Sequence, residues 1–276
     1  MTRHNYMVLI CRPTEQPMTS ENKQSFLIGA FQIDIIVHGF PGKSVCHGPL
    51  GFSTIALIRH NEFTALVDVG GFGQRLILNQ RLKELGVRPD DITDVLLTHS
   101  HFDHAINWVN FPNANIHIST KEMTWALKQP TGKTYVPELY VEALKDHQNL
   151  VLVEHNEEVL PGIKSLICPG HTPGSTVYVL DTGDSDIVFT GDACKNRAEL
   201  VSRSADMTYD TNATKNSIND IWSAWSRRDG GLLIPGHDLP MLLNNNSIRY
   251  IGKHEAAIKV WFDDSLNKST LISLSP

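Results

Sequence analysis

The stretch Thr98-His99-Ser100-His101-Phe102-Asp103-His104 places three imidazoles and one carboxylate within six positions. It directly follows the apolar run 95–97, which predicts a buried strand, so the cluster begins where the strand ends. Side chains at i and i+2 of an extended backbone point the same way, so His99 and His101 can bind a single ion. Asp103 and His104 then face a second ion beside the first. The stretch therefore predicts a metal site at the carboxyl end of a strand, the usual place for a site in an α/β protein.

The pattern His-x-His-x-Asp-His resembles the signature of the metallo-β-lactamase superfamily. Four more positions of that family have counterparts at ordered spacings over about residues 31–237: Asp68 in LVDVG, His171 in PGHTPG, Asp192 in TGD and His237 in IPGHD. One match would be weak evidence, whereas the ordered set is strong. The resemblance implies an α/β fold, the αββα metallo-β-lactamase sandwich, with one or two metal ions at the edge of two packed sheets.

The resemblance also implies a role for each of these side chains. One ion would be held by His99, His101 and His171, and the other by Asp103, His104 and His237. Asp192 would bridge the two ions, and Asp68 would hydrogen-bond a ligand histidine from behind. Asp103 and Asp192 are the expected catalytic carboxylates.

Imidazole and carboxylate ligands suit zinc, and also manganese, cobalt or iron. We expect two divalent ions, with Zn²⁺ first and Mn²⁺, Co²⁺ or Fe²⁺ as alternatives. Water between two such ions becomes a hydroxide nucleophile near neutral pH, and Asp103 could pass a proton to the leaving group. This chemistry predicts a hydrolase that acts on a small molecule.

Composition limits the class of protein and its partners. The 276 residues have a formal net charge of −6 and no lysine- or arginine-rich run, which argues against nucleic acid as a partner. The four cysteines form no Cys-x-x-Cys pair, which indicates free thiols in a reducing compartment. No segment is long and apolar enough to span a membrane or to act as a good signal peptide. A cytoplasmic location follows by default, and an apolar aromatic stripe makes a homodimer plausible.

The departures from the family pattern indicate a lactonase or glyoxalase-like branch. Asp192 argues against the main zinc β-lactamases, which generally lack the bridging aspartate. The segment around His237 is similar to the closing motif of acyl-homoserine lactone lactonases. However, Lys195, Asn196 and Arg197 stand where those enzymes are expected to carry a tyrosine.

We therefore predict a binuclear metal-dependent hydrolase of a small ester, lactone or thioester. A hydrolytic dehalogenase of an aromatic compound and a phosphodiesterase or ribonuclease are alternatives within the hydrolases. A mononuclear iron dioxygenase is an alternative of another class, and a non-catalytic binding module is a third.

The chain divides into an N-terminal arm or peripheral strand over residues 1–30 and one domain over 31–276, with an inserted segment around 129–148. A final helix is expected from Ser247 to about Phe262. Candidate substrate contacts come from the loops and aromatic residues near the cluster: His47, Phe52, Trp108 and Asn196.

Overall fold

The computed structural model describes residues 24–46, 48–50, 52–245 and 247–275. Within these ranges the strands are β1 (Ser25–Ile28), β2 (Phe31–Val37), β3 (Lys43–Ser44), β4 (Gly48–Pro49), β5 (Ile55–Arg59), β6 (Thr64–Val67), β7 (Asp94–Leu96), β8 (Asn115–Ser119), β9 (Leu150–Val153), β10 (Glu158–Leu160), β11 (Ile163–Ile167), β12 (Thr176–Asp181), β13 (Asp186–Gly191), β14 (Leu232–Pro235), β15 (Met241–Asn244), β16 (Ser247–Tyr250), β17 (Ala257–Val260) and β18 (Thr270–Ser273).

The same ranges contain α-helices and short 3₁₀ turns. The helices are α1 (Arg75–Glu84), α2 (Phe102–Ala105), α3 (Thr120–Ala126), α4 (Glu138–Lys145), α5 (Arg197–Ser202) and α6 (Thr211–Trp225). The 3₁₀ turns are Phe72–Gln74, Pro89–Asp91 and Ile106–Asn110. None of the described helices is long and apolar enough to cross a lipid bilayer.

Two seven-stranded sheets form the centre of the molecule. The first has the order β1-β2-β5-β6-β7-β8-β9, and the second has the order β10-β11-β12-β13-β14-β15-β16. Strands β6 to β9 run parallel to one another, and β13 runs parallel to β14. Parallel neighbours bring their carboxyl ends to the same edge of a sheet, so loops that are distant in sequence meet there.

Alternation along the strands explains how the layers pack. Ile33 and Ile58 of the first sheet and Tyr178 and Phe189 of the second belong to one buried cluster, which fills the space between the sheets. The intervening residues face the other way and bury helices, because successive side chains of a strand point to opposite faces. Helices α1, α3 and α4 cover the first sheet, and α6 covers the second with the fully buried Trp225. The predicted αββα sandwich is therefore confirmed.

The two sheets are joined at the edge from which the histidine-bearing loops leave. The Thr176 N–H donates to the Thr98 carbonyl over 2.8 Å, and the Tyr178 hydroxyl donates to the Leu97 carbonyl over 3.0 Å. The Thr54 N–H likewise donates to the Gly236 carbonyl over 2.7 Å. These bonds join the end of β7 to the start of β12, and the start of β5 to the end of β14, so they link the two sheets.

The predicted helix from Ser247 to about Phe262 is wrong. That region instead contains β16, which pairs with β15, and β17, which pairs with β18. Burial alternates along both β16 and β17, and Ile248 and Tyr250 pack against the outer cluster of the second sheet. The edge strand β15 thus holds 247–250 as a strand, and β17 and β18 form a separate two-stranded sheet, so pairing between strands decides the structure of this region.

The structure describes part of the predicted N-terminal arm and all of the predicted inserted segment around 129–148. The described part of the predicted arm includes β1, which pairs with β2 in the first sheet, whereas residues 1–23 lie outside the described residues. Residues 129–148 form turns followed by α4, which buries Val141 and Leu144 against the first sheet's outer cluster.

Candidate metal centre

Four strand ends supply the candidate ligands. His99 and His101 follow β7, and His101 caps the short helix α2, which carries Asp103 and His104. The turn between β11 and β12 carries His171. Asp192 and His237 follow the neighbouring parallel strands β13 and β14, respectively. The fold thus brings all seven predicted ligands together.

The first group comprises His99, His101 and His171, whose ligand atoms lie within 4.8 Å of one another. His171 Nε2 is 3.0 Å from His101 Nδ1, and the buried His99 Nε2 has no hydrogen-bond partner among the described residues. Burial, together with the charge of neighbouring histidines, lowers the pKa of His101 to about 3. Burial also lowers the pKa of His171 to about 4. These rings are therefore neutral near pH 7 and present lone pairs to a shared point.

The second group comprises Asp103, His104 and His237. His104 Nε2 lies 3.2 Å from His237 Nε2, and His237 Nε2 lies 3.3 Å from Asp103 Oδ2. Burial disfavours the charged form of His237, but Asp192 and Asp103 outweigh it and raise its pKa to about 9. Burial also lowers the pKa of His104, but the negative charges of Asp192, Asp103 and Asp68 outweigh this effect. The pKa of His104 is therefore raised well above its ordinary range. Without a metal, protons on these rings offset the carboxylate charge.

Asp192 lies between the two groups. Its Oδ1 is 3.2 Å from His104 Nε2 and 3.3 Å from His237 Nε2, while its Oδ2 is 3.3 Å from His171 Nε2. Burial opposes its charge, yet His237, His104 and His171 hold the pKa of Asp192 well below its usual range. Each oxygen of this ionised carboxylate therefore faces a different group of histidines.

This donor set fits two divalent cations. Ring nitrogens of different histidines face one another across about 3 Å. The lone pairs of two such unprotonated nitrogens repel unless a proton or a cation lies between them, so hydrogen bonds cannot satisfy all of them. The buried His99 Nε2 and Asp192 Oδ1 are also without hydrogen-bond partners among the described residues. A cation in each group would satisfy these atoms, and nitrogen and carboxylate ligands match zinc and its neighbours.

Asp68 supports the site from behind. Its Oδ2 accepts hydrogen bonds from His104 Nδ1 over 2.7 Å and from the Thr98 hydroxyl over 2.8 Å, and its Oδ1 accepts from the Thr98 N–H over 2.8 Å. The bond to Nδ1 leaves His104 Nε2 directed at the second group. Outer carboxylates of this kind orient a ligand imidazole and raise its basicity.

Sequence reasoning missed a second supporting carboxylate, Glu122 of α3. It is fully buried and accepts hydrogen bonds from Ser100 and Thr172, which neighbour the ligand histidines. Ser119-x-x-Glu122 is the pattern of a helix capping box, in which the glutamate turns back to its own helix. Ser119 does cap α3, but Glu122 points across to the histidine loops. The Ser119-x-x-Glu122 pattern is visible in the sequence, but it indicates only a bond within α3 and not a contact with the histidine loops.

A cavity of about 310 Å³ opens over the histidines and carboxylates. Its remaining walls are largely apolar or aromatic, and they include Phe40, Phe102, Tyr135 and Met207. The Tyr135 ring lies 6.0 Å from the His101 ring, which places part of the segment around 129–148 at the site. Such a cavity accommodates a small molecule.

The four predicted substrate contacts differ in where they lie relative to the cavity over the candidate metal centre. Asn196 lines this cavity, although its side chain accepts a hydrogen bond of 3.1 Å from the Glu199 N–H and so caps α5. Phe52 lines a neighbouring cavity of about 580 Å³ that shares Phe102 and Asp103 with the first. Trp108 is buried in the outer cluster of the first sheet and lines neither cavity, because its 3₁₀ turn points it inward. His47 lies outside the described residues.

Lys195 is a further charged wall of the cavity. Its ammonium lies 2.9 Å from Glu199 Oε1 and donates to the Asp206 carbonyl over 2.7 Å. Burial lowers the pKa of Lys195, but Asp192 and Glu199 outweigh this effect and raise it. Lys43 reaches the same loop from the opposite side through an exposed ion pair with Asp206.

Comparison with known proteins supports the same family. An N-acyl homoserine lactonase of Bacillus thuringiensis is 28% identical over 159 residues, which make up 57% of this chain and 60% of the relative. The chain thus matches about 60% of the length of that curated relative.

Two solved structures show the fold. A probable metal-dependent hydrolase from Staphylococcus aureus superposes with a TM-score of 0.67 at 20% identity, covering 83% of this chain and 99% of that one. AidC, a dizinc quorum-quenching lactonase, superposes with a TM-score of 0.64 at 17% identity, covering 84% of this chain and 97% of its own. The sequence profile described as the metallo-beta-lactamase superfamily matches residues 48–237. The chain belongs to the metallo-β-lactamase superfamily.

Proposed function

We propose that this protein is a binuclear metal-dependent hydrolase that acts on a small ester, lactone or thioester. The observation that carries the proposal is the position of Asp192, whose two carboxylate oxygens face separate groups of ligands. Only an anionic side chain with two oxygens can serve both groups at once. Zinc is the first candidate metal, and manganese, cobalt and iron suit the same ligands.

The two ions would lower the pKa of a bound water and polarise the substrate carbonyl. His99, His101 and His171 would hold one of them, Asp103, His104 and His237 the other, and Asp192 both. Burial keeps these side chains in fixed positions, so little reorganisation is needed when substrate binds.

Asp103 is the carboxylate that can also handle a proton. It lines the cavity, and its side chain is 19% exposed, compared with 6% for Asp192. Burial favours the neutral form, but His104 and His237 outweigh it and lower the pKa of Asp103. It is therefore ionised near pH 7, can accept a proton at the open side of the site and can pass it to a leaving oxygen or sulfur.

The shape and lining of the cavity support the substrate class. A space of about 310 Å³ with apolar walls suits a compact organic molecule, and the formal net charge of −6 disfavours a polyanion such as nucleic acid. The name of the Bacillus thuringiensis relative, a lactonase, adds support for a cyclic ester. We place a lactone first among the three substrate types.

Metal analysis combined with a substrate panel tests the proposal. Freshly purified protein should contain about two divalent ions per chain. It should hydrolyse lactones, aryl esters or thioesters, lose activity in chelator and regain it with zinc or manganese. Asp192→Asn is the control, because it keeps the shape of the side chain and removes the charge needed to face both ions.

Other outcomes would contradict the proposal in recognisable ways. Fewer than about one ion for every two chains would exclude a binuclear enzyme. Turnover confined to chlorinated aromatics or phosphodiesters in the same panel would favour a different hydrolase. A single iron with oxygen uptake would favour an oxygenase.

A further inference from the structure

Glu122 is a buried carboxylate whose hydrogen-bonding capacity is fully used although it is not among the candidate ligands. Its Oε1 accepts from the Ser100 N–H over 2.9 Å and from the Ser100 hydroxyl over 2.7 Å. Its Oε2 accepts from the Thr172 hydroxyl over 2.6 Å and from the Gly174 N–H over 3.2 Å. Burial raises the pKa of Glu122, but these four donors oppose that effect because they favour the ionised carboxylate. Hydrogen bonds to an ionised acceptor are roughly twice as strong as bonds between neutral groups. Glu122 therefore links the segments that supply these donors through strong hydrogen bonds.

Those segments are the two loops that carry the first group of histidines. Ser100 stands between His99 and His101, and Thr172 directly follows His171. Each carboxylate oxygen serves one loop, so the bonds run from the end of β7, through the start of α3, to the turn before β12. The backbone bond from the Thr176 N–H to the Thr98 carbonyl joins the same segments farther from His101 and His171.

The turn that holds His171 is fitted closely to α3. The Ser119 hydroxyl donates to the Gly174 carbonyl over 2.7 Å, in addition to the bond from the Gly174 N–H to Glu122. A Cβ added at Gly174 would overlap the backbone of Glu122, so the approach requires glycine at this position. Helix α3 thus fixes the Gly174 side of the turn, while His171 Nδ1 donates to the Met207 carbonyl over 2.9 Å on the other side.

We propose that Glu122 is a positioning residue that holds His99, His101 and His171 together for the ion of the first group. The inference rests on the binuclear site proposed above. Asp68 bonds the ligand His104 directly, whereas it reaches His99 only through the Thr98 hydroxyl, which lies 3.1 Å from His99 Nδ1. Asp68 therefore acts mainly on the second group, and removal of Glu122 weakens the first ion selectively.

Stepwise zinc binding to the purified full chain, measured against a competing chelator, tests this inference. Glu122→Gln keeps the shape of the side chain but replaces one acceptor oxygen with a donor, so two of the four hydrogen bonds lose their acceptor. We expect one zinc affinity to stay at the wild-type value and the other to weaken by about 10- to 100-fold, the usual effect of losing an outer carboxylate.

Ligand variants identify which ion is lost. His101→Ala removes a ligand of the first group, and His237→Ala removes a ligand of the second. Adding Glu122→Gln to His101→Ala should weaken the remaining zinc little, whereas adding it to His237→Ala should weaken the remaining zinc by the full factor. This non-additivity is expected only when two changes act on the same ion.

Thermal unfolding of the metal-free variants separates positioning from folding. If Glu122→Gln does not fold, Thr172→Val removes a single hydroxyl donor and should weaken the same ion by about fivefold. The inference is overturned if the folded variant binds both ions as wild type does, or if the double variants show that the second ion is the one affected. Failure of wild type to bind two ions would overturn the proposed function as well, so the two failures are distinguishable.

Discussion

His104 Nδ1 of α2 donates a hydrogen bond of 2.7 Å to Oδ2 of Asp68, which directly follows β6 and lies 36 positions earlier in the chain. Both side chains are almost completely buried. Asp68 adopts a backbone φ of 55°, a left-handed conformation that aspartate and asparagine tolerate better than most residues. The turn after β6 thereby directs its carboxylate at the back of a candidate ligand.

Replacement of this carboxylate should weaken one ion. Asp68→Asn can keep the left-handed backbone, but it removes a charge and one acceptor from Thr98 and His104. We expect the zinc of the second group to bind about 10- to 100-fold more weakly, measured by chelator competition.

Asp94→Asn is the matched control for Asp68→Asn. Asp94 is also buried and also pairs with an imidazole, His117, over 2.8 Å, but it lies at the opposite end of β7 from the metal centre. This control should lower thermal stability and leave both zinc affinities unchanged. Equal loss of zinc from the two variants would show that any buried aspartate–histidine pair has this effect.

Zinc binding should depend on pH through His104 and His237, because the pKa of each ring is raised in the metal-free fold. The pKa of His237 rises from 6.5 to about 9, so this ring is protonated at neutral pH. The protonated ring stabilises the metal-free protein fully below pH 6.5, and this contribution is lost as the pH rises through 9. A metal ligand must be neutral, so zinc must displace this proton.

We therefore expect zinc affinity to rise between pH 6.5 and about 9. The Tm difference between zinc-loaded and metal-free protein should widen over the same interval. Calorimetry in two buffers of different ionisation enthalpy measures the released protons directly. Identical heats in both buffers at pH 7 would contradict a protonated His237.

Gly191 should be essential for stability. Its φ is 48°, and an added Cβ would overlap the side chain of Thr98, which follows β7 of the first sheet. Left-handed strain and the overlap together should make Gly191→Ala cost about 2–4 kcal/mol in the free energy of unfolding. Urea denaturation of the metal-free protein measures this cost. Gly73→Ala is the comparison, because its Cβ would meet open space; it should change stability by less than about 1 kcal/mol.

The two lysines of the cavity should differ in their effect on stability. Lys195 and Glu199 form a pair with side chains only 14% and 6% exposed, whereas those of Lys43 and Asp206 are 54% and 64% exposed. Lys195→Met leaves Glu199 buried without its partner and should cost about 3 kcal/mol in the free energy of unfolding. Lys43→Met should cost less than about 1 kcal/mol, because water screens the exposed pair.

Addition of Glu199→Gln tests the cause of the Lys195 effect. If the cost arises from the unpaired carboxylate, the double variant should regain part of the lost stability in urea denaturation. A double variant that is less stable than Lys195→Met would indicate that packing of the lysine stem is the larger contribution.

Much of the fold could be predicted from local patterns. The sequence predicts a strand over 31–37 and helices over about 73–85 and 137–145. Strand β2 has the predicted bounds, and α1 and α4 lie within the predicted helices. The C-terminal region was predicted incorrectly, because its apolar residues fit more than one period. Contact with β15 decides that Ile248 and Tyr250 lie on a strand.

For the candidate site, too, the sequence predicts some features and not others. Residue type and order along the chain determined which imidazoles and carboxylates are candidate ligands. The cluster from His99 to His104 and the later His171, Asp192 and His237 can bind a metal ion because of their side-chain chemistry, which does not depend on the fold. Residue type could not show that Trp108 is buried in the core or that Glu122 leaves its own helix to join two loops.

By itself, the sequence determined the chemical groups available to this protein, the strand ends that carry them and the family to which they belong. Only the tertiary structure decided which nitrogen faces which oxygen, how Asp192 lies between two groups, and which buried carboxylates stand behind them. The physical reason is that helix and strand periods are set by neighbours along the chain. Hydrogen bonds such as those of Asp68 and Glu122 depend instead on two sheets packing face to face, which brings together residues that the sequence keeps apart.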